Sequence, residues 1–421
     1  MVMRPTTISF VVTALFSVGC DALFGIEARP FVSEAGTSLD AASRDGSRSG
    51  TDGGSSRDAS KDDSGPHRAT DAGADGSDGA AEGVCDGGSC DAGCDSLTTE
   101  ANCGACGYAC VNGRQCTAGH CTPAWLPMTA VNAPTPRLAF QGAAAGGDLI
   151  IVGGSSTSCP ESAGSLASAA QYDPIADAWT TLPNLKTARA AHVVISSGTT
   201  VYAFGGLTTC ANGTTQLANL ETWSIGDAAW TPVSGTNTPA PGYAMEAAWS
   251  GSSLWIYGGS SGSSPYVTSG SVYDPVSNAW TDASCPLANC DRNDGSTILD
   301  QGYLRTWAGG GGSTPGGLEY QVSTGSWATW TMPANFPSTL GNPADDGRRI
   351  YLPSGGGSSN LDIVIYDRHT QAQTTDTATS PVNMSTAGAI AWTGSEVVLW
   401  SGSGSTEPTS AGGRYQPPAP E

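Results

Sequence analysis

Apolar, strand-like runs that end in paired glycines recur along this 421-residue chain. The first four are LIIVGG, VYAFGG, LWIYGG and RTWAGG, and two weaker ones are IYLPSGG and VVLWSGSG, at residues 149–154, 201–206, 254–259, 305–310, 350–356 and 397–404. The spacing of about 50 residues indicates an internal repeat, and each run has the length of a buried strand. The pattern predicts six β units.

Aromatic residues follow these runs at regular positions and predict two further strands in each unit. A third-strand aromatic follows every run, as Tyr172, Trp223, Tyr273, Tyr320, Tyr366 and Tyr415. Seven residues after the first four of these comes a tryptophan that should open a fourth strand, as Trp179, Trp230, Trp280 and Trp327. Gln373 takes this place in the fifth unit, which is therefore degenerate. We expect the tryptophans to fill the gaps between neighbouring sheets.

One complete repeat is visible from Tyr172 to Gly206, as YDPIADAWTTLPNLKTARAAHVVISSGTTVYAFGG. The order of Tyr-Asp-Pro, tryptophan, Arg189, His192, tyrosine and paired glycines resembles the kelch repeat of β-propellers. This resemblance implies four-stranded blades around an axis, and it gives His192, in the repeat's Arg-x-x-His position, a structural role.

The two ends of the repeat region predict how the ring closes. The sixth unit reaches Tyr415 with no room for a fourth strand, whereas Trp125 in PAWLPM is a fourth strand with no blade before it. Joining the halves leaves no sheet edge open at the junction. Residues 122–421 are therefore predicted to form an all-β fold, a six-bladed kelch-like β-propeller closed by an N-terminal strand.

The N-terminal residues 1–20, MVMRPTTISFVVTALFSVGC, have the pattern of an export signal. Arg4 precedes an apolar core from Ile8 to Val18, which is too short to be a dependable membrane span. The ending SVGC resembles a bacterial lipobox, which implies lipidation of Cys20 and a membrane anchor. The alternative is an ordinary cleaved signal that leaves Cys20 free. We expect a lipoprotein of the cell envelope, at the outer membrane or cell surface.

Residues 21–84 are rich in Asp, Gly, Ser and Ala, and they predict a disordered linker because they offer almost no apolar surface to bury. The formal net charge of the chain is −21, and basic residues nowhere form a run. A nucleic-acid partner needs clustered Lys and Arg, so this class is excluded. No cofactor is expected.

Eight cysteines between Cys85 and Cys121 predict a disulfide-rich module over residues 85–121. Zinc is the alternative, suggested by the Cys103-x2-Cys106 pair with His120 nearby. The NCGACGYAC and CTAGHC segments resemble the cysteine-rich modules of stigma-specific-type proteins, a resemblance that implies no activity. Eight cysteines allow 105 pairings, and the sequence does not choose among them.

Four more cysteines lie inside the predicted propeller. Cys159 and Cys210 follow the glycine pairs of adjacent blades at similar distances, so they should lie in equivalent loops and form a disulfide. Cys285 and Cys290 lie in one loop, close enough in sequence to form a second.

One end of the propeller is expected to carry the ligand site. The loops after each glycine pair, and those from a fourth strand to the next blade, share this end, which we call the loop face. Its charged candidates for binding are Arg137, Arg189, Glu246, Asp291 and Arg292. An apolar setting near the axis would raise the pKa of Glu246. The segment 290–300 also has oxygen donors that leave calcium as an alternative there.

Two classes of function fit this architecture. A copper radical oxidase is excluded because its copper needs two histidines and two tyrosines, and the propeller has only His192 and His369, with no pair at ligand spacing. Non-catalytic binding of a glycan, protein or matrix component is the function we predict. The alternative is a sugar-modifying enzyme such as a mutarotase, which needs an acid and a base beside a polar pocket.

Overall fold

The computed structural model describes residues 97–156, 164–209, 215–261, 267–287, 290, 292, 295–307, 316–333, 343–354, 361–380, 388–400 and 409–420. The predicted signal, the predicted linker and the first part of the cysteine module lie outside these ranges. All regular structure in the described ranges is β. Across the same ranges, we find no helix with the length and apolarity needed to cross a bilayer.

Five short strands precede the first blade. They are β1 (Thr98–Thr99), β2 (Asn102–Cys103), β3 (Gln115–Thr117), β4 (His120–Thr122) and β5 (Trp125–Pro127). The first four form two hairpins in the cysteine segment, β1 with β2 and β3 with β4. The fifth strand belongs to the propeller.

The remaining described strands, together with β5, form six four-stranded antiparallel sheets, which are the six blades. Blade 1 contains β6 (Gln141–Ala145), β7 (Asp148–Val152), β8 (Ala169–Asp173) and β9 (Ala178–Leu182). Blade 2 contains β10 (Val193–Ser196), β11 (Thr200–Phe204), β12 (Leu220–Ser224) and β13 (Thr231–Val233). Blade 3 contains β14 (Glu246–Trp249), β15 (Leu254–Tyr257), β16 (Gly270–Asp274) and β17 (Ala279–Asp282).

The second half of the ring repeats this arrangement. Blade 4 contains β18 (Ser296–Asp300), β19 (Tyr303–Trp307), β20 (Gly317–Gln321) and β21 (Ser326–Trp330). Blade 5 contains β22 (Ala344–Asp345), β23 (Arg349–Ser354), β24 (Asp362–Asp367) and β25 (Gln373–Asp376). Blade 6 contains β26 (Ala389–Trp392), β27 (Val397–Trp400) and β28 (Gly412–Tyr415), with β5 as its fourth strand. The predicted six-bladed propeller is confirmed.

The split blade closes the ring as the sequence predicts. Strand β5 pairs antiparallel with β28, and Trp125 lies opposite Tyr415 with ring centroids 5.0 Å apart. The same aromatic pair recurs within other blades, for example at 5.0 Å between Tyr172 and Trp179. The first and last strands of the propeller are therefore joined by one ladder and one aromatic contact.

The repeat tryptophans fill the spaces between blades. Trp179 contacts Trp400 of blade 6 at 5.4 Å between ring centroids. Trp327 contacts Tyr257 of blade 3 at 4.6 Å. Blade 5 has Gln373 at this position and still completes its fourth strand, because the β25 ladder depends on backbone bonds rather than on an indole.

The paired glycines leave room for side chains that enter between blades. Gly206 has φ +94°, and a Cβ on it would lie 2.7 Å from the Cβ of His192. A Cβ on Gly153 of blade 1 would lie 2.7 Å from the His192 ring. His192 is 1% exposed. It is a wedge between blades 1 and 2, which is the structural role the resemblance implied.

The described part of the cysteine module is held by covalent bonds. Disulfides join Cys103 to Cys116 and Cys110 to Cys121. Cys106 is also disulfide-bonded. These sulfurs are consumed in covalent bonds, so the thiolates that zinc would need at Cys103 and Cys106 are not present.

The cysteine segment packs against the propeller at the end opposite the loop face. Arg114 forms an ion pair of 2.8 Å with Glu396, in the turn between β26 and β27, and both side chains are fully buried. Arg114 Nη2 also donates to the Arg414 carbonyl at 2.9 Å. Gln416 Nε2 donates to the Ala109 carbonyl at 2.6 Å. The described part of the cysteine module is therefore packed on blade 6 of the closed ring.

Candidate functional site

Three of the five predicted binding residues occupy equivalent buried positions at the loop face. Arg137, Arg189 and Arg292 each lie four residues before the first strand of a blade, and their exposures are 1%, 0% and 3%. Arg137 Nη1 donates to the Gly153 carbonyl at 2.9 Å and to the Ser168 carbonyl at 3.3 Å. Through these hydrogen bonds, Arg137 fixes the main chain at both ends of the loop between the second and third strands of blade 1.

The other two arginines repeat this contact. Arg189 Nη1 donates to the Gly205 carbonyl at 2.9 Å, and Arg292 Nη2 donates to the Gly316 carbonyl at 3.2 Å. Arg189 also forms a buried ion pair, since its Nη2 lies 2.6 Å from Glu221 Oε1. Burial lowers the pKa of Arg137 to about 10, which still leaves it charged at neutral pH.

Glu246 lies between blades 3 and 4. Its Oε2 accepts hydrogen bonds from the hydroxyls of Thr297, at 3.2 Å, and Thr306. A Cβ on Gly295 would come within 1.8 Å of Oε1, so only glycine leaves space for this carboxyl group. Glu246 is 3% exposed. The carboxyl group thus clamps two blades together.

Gln141 occupies the position in blade 1 that is equivalent to Glu246 in blade 3, and it also contacts the next blade. Like Glu246 in blade 3, it is the first residue of the first strand in blade 1. Its Oε1 accepts from the Val194 main-chain N–H of blade 2 at 2.8 Å. Thr297 and Val194 are both the second residue of the next blade's first strand. A neutral, hydrogen-bonding side chain is therefore compatible with this position.

We expect Glu246→Gln to remove a pH-dependent loss of stability. Burial raises the pKa of Glu246 from 4.5 to about 7, against the opposing effects of Thr306 and Arg292. A raised folded-state pKa means that the stabilisation is complete below pH 4.5 and is lost as pH rises through about 7. The free energy of unfolding of the wild type should fall by roughly 3 kcal/mol over this window because of this group.

Urea unfolding at a series of pH values measures this difference. The Glu246→Gln curve should lack that fall and lie above the wild-type curve at pH 8, while the exposed Glu100→Gln variant serves as control. Parallel pH curves for wild type and Glu246→Gln would contradict the assignment.

The remaining predicted residues of the loop face fall partly outside the described ranges. Asp291 and the other oxygen donors proposed for calcium, Asn293 and Asp294, lie outside them, as do Cys159 and Cys210. The structure joins Cys285 to Cys290 by a disulfide, with Cα atoms 6.1 Å apart. This bond lies in the loop that leads from blade 3 to blade 4.

A cavity of about 580 Å³ opens on the loop face beside blade 3. Its walls are the loop from blade 2 to blade 3 and the described residues that flank the connection between β15 and β16, among them Ser261 and Val267. Its floor is apolar and buried, with Met245, Ile256 and Trp280, and its rim is polar and exposed, with Asn237, Ser269 and Asp282. Small-molecule sites typically have volumes of about 300–1,000 Å³, and this cavity lies within that range. An apolar floor with a few polar groups is also typical of such sites.

Glu246 is not part of this cavity. Met245 and Glu246 are neighbours on the same inner segment, so their side chains point to opposite sides of blade 3. A Cβ on Gly205 of blade 2 would lie 2.4 Å from Met245 Cε, whereas Glu246 contacts blade 4. The predicted acid or base and the cavity are therefore separated by the blade itself.

The indole N–H of Trp280 has no acceptor among the described residues, in contrast to the indole N–H groups of Trp179, Trp230 and Trp327. The Ser234 carbonyl, at the equivalent loop position, accepts from Asn278 Nδ2 at 3.2 Å instead. The counterparts donate to the loop that leaves the preceding blade: Trp179 to Thr129 at 3.0 Å, Trp230 to Pro183 at 2.9 Å and Trp327 to Ala283 at 3.0 Å.

Sequence reasoning missed this cavity, although one signal was present. The loop from blade 2 to blade 3 contains NTPAPG at residues 237–242, with two prolines that restrict its path. Asn278 also replaces the Asp177 of blade 1 at the turn before the tryptophan. Neither feature shows by itself that a hollow is left over Trp280.

Comparison with known proteins assigns no family to the chain. No protein-family model matches it, and no curated protein does so either. The functional assignment therefore depends on the geometry of the described residues.

Proposed function

We propose that this chain is a cell-envelope lipoprotein whose kelch-like propeller binds a ligand, without catalysis, through the loop face. The observation that supports this most directly is the cavity over blade 3, with its apolar floor and polar rim. Binding sites of this form need no reacting group. The ligand would be a glycan, protein or matrix component.

The charged groups at the loop face favour binding over a mutarotase. Arg137 and Arg189 are engaged with main-chain carbonyls, and Glu246 is enclosed between two blades. The described lining of the cavity contains two ionisable side chains, Asp282 and Tyr257, and the Tyr257 hydroxyl donates to the Cys290 carbonyl. Mutarotation needs both an acid and a base at the sugar.

The arrangement of the chain suits display from an N-terminal anchor. The cysteine segment, which is the described part nearest the predicted anchor, packs on the face opposite the loop face. The described residues that lead toward the predicted anchor at Cys20 thus meet the propeller on this opposite side. The loop face would remain open to the surroundings.

The binding proposal is tested with the labelled full chain on an array of glycans, peptides and envelope fractions. Lys186 is exposed on the loop face outside the cavity, and Val276 is exposed on the opposite face. Lys186→Trp or Ser269→Trp should reduce binding, and Val276→Trp should not. If only Val276→Trp reduces binding, the ligand binds the face opposite the loop face, and the proposal is contradicted.

The mutarotase alternative is tested separately by polarimetry. Anomer exchange of D-glucose and D-galactose should proceed at its spontaneous rate in the presence of the full chain. An accelerated rate that Glu246→Gln abolishes would replace the binding proposal with the enzymatic one.

The anchor carries its own prediction. Metabolic labelling with a palmitate analogue should tag the wild type, because a lipobox cysteine is the acylated residue, and several acyl chains hold a protein stably on a bilayer. Cys20→Ala should move the protein from the membrane to the soluble fraction. The Cys285→Ala/Cys290→Ala variant, which leaves Cys20 in place, should stay labelled. Unlabelled, soluble wild-type protein would contradict the anchor.

A further inference from the structure

We propose that the cavity beside Trp280 binds one neutral sugar unit, with the indole N–H as a hydrogen-bond donor to a sugar oxygen. This inference rests on the proposed function and names the class of ligand. It is carried by the unpartnered indole, by the pattern of polar groups on the rim and by their charge.

The indole N–H points to a polar ligand. Trp280 is 3% exposed, and its ring packs against Phe204 and Tyr273 with centroids 5.0 Å and 5.1 Å away. Nε1 of Trp280 is accessible to solvent, whereas the Nε1 atoms of Trp255 and Trp400 are buried without a partner. Trp280 lines the cavity, so a ligand oxygen bound there can accept a hydrogen bond from this N–H, which no described residue does.

The rim is suited to hydroxyl groups. Asp282 lies across from Ser271 in the β16–β17 ladder, and both line the cavity together with Thr281. Asp282 Oδ1 accepts from Ser284 at 2.6 Å, and no donor to Oδ2 exists among the described residues. A carboxylate oxygen beside two hydroxyls accepts from one sugar hydroxyl while its neighbours exchange hydrogen bonds with others. The apolar floor of Met245 and Ile256 fits the C–H face of the ring.

Charge selects a neutral sugar over an anionic one. The described lining includes the acidic Asp282 and no Lys or Arg. The whole chain has a net charge of −21, so its field also repels anions. A uronic or sialic acid would bring a carboxylate to this rim without a cation to pair with it.

The test measures sugar binding to the full chain by titration calorimetry and saturation-transfer NMR. The probes are D-glucose, D-galactose, D-mannose, N-acetyl-D-glucosamine and N,N′-diacetylchitobiose, with D-glucuronate as the anionic comparison. At least one neutral probe should bind, and glucuronate should not. Trp280→Phe should weaken that binding about 3- to 10-fold, as expected for one lost hydrogen bond.

Two matched pairs of variants separate binding from folding. Trp230→Phe removes an indole whose N–H donates to Pro183 away from the cavity, and it should leave the affinity unchanged. Ala240 is exposed at the cavity, so Ala240→Trp should fill the opening and abolish binding without disturbing the core. Ala176→Trp, exposed on the opposite face, should bind like the wild type.

Each other outcome would overturn the inference. If no neutral probe binds, or if Ala240→Trp leaves sugar binding intact, the sugar site is not this cavity. If a proline-rich peptide binds and Ala240→Trp blocks it while sugars fail, the ligand class is wrong although the loop face still binds. The proposed function fails separately, when array binding is insensitive to both Lys186→Trp and Ser269→Trp.

Discussion

Deleting residues 122–130 should abolish the cooperative unfolding of the propeller. The deletion removes β5, which is the fourth strand of blade 6, and leaves the β28 edge unpaired. It also removes Trp125, which is 6% exposed and packs on Tyr415. An exposed strand edge invites pairing with other chains, so the deleted protein should aggregate or unfold without a sharp transition. Differential scanning calorimetry and light scattering measure both.

A point variant and a control deletion complete this experiment. Trp125→Ala keeps the chain continuous and should cost about 3–5 kcal/mol, the usual range for truncating a buried large aromatic. Deleting residues 21–84, the predicted linker, should leave the melting temperature unchanged. If the 122–130 deletion melts cooperatively at the wild-type temperature, the N-terminal strand does not close the ring.

Arg189→Met should destabilise the propeller more than Arg137→Met. Both variants lose the bonds to main-chain carbonyls, which at buried positions costs about 1–3 kcal/mol. Arg189→Met also leaves Glu221 buried without its cation, and breaking a buried pair costs about 3–5 kcal/mol. Glu221 keeps the main-chain N–H groups of Lys186 and Thr187, at 2.6 Å and 3.0 Å, so the cost should be at the lower end.

Chemical denaturation of the two single variants and of Arg189→Met/Glu221→Gln measures this difference. The double variant should recover most of the excess cost, because it removes the buried charge together with its partner. Equal costs for Arg137→Met and Arg189→Met would show that Glu221 contributes nothing to the loop.

The blade register was predictable because several positions of each repeat indicate the same register. The six third-strand aromatics and the glycine-ended second strands all lie in the strands expected of them, and the isolated Trp125 found its partner in Tyr415. A one-residue shift would have reversed the face of every side chain, so agreement at Tyr172 fixes its whole strand. The fold therefore followed from this periodicity together with the resemblance to kelch repeats.

The site was less predictable because it depends on contacts between segments distant in sequence. From the sequence, a charged residue at the loop face is a candidate for binding a ligand. In the structure, however, Arg137 donates its hydrogen bonds to main-chain carbonyls of its own blade. Glu246 was identified from its apolar surroundings, but its direction depends on the packing of Thr297 and Thr306 in the next blade. The cavity over Trp280 exists because the loop from blade 2 to blade 3 does not cover the indole. No single residue type in the sequence indicates such an opening.

The contacts between the cysteine segment and blade 6 also determine how the protein responds to mechanical force. A pull on the chain from the N-terminal side enters at residues 97–121, where two disulfides prevent the segment from extending. The load then passes through the Arg114–Glu396 pair and is shared as shear across all the hydrogen bonds between β5 and β28. Bonds loaded together in shear yield at higher force than bonds opened one at a time. If the proposed anchor and ligand exist, the ring is expected to stay closed while the ligand is held under flow.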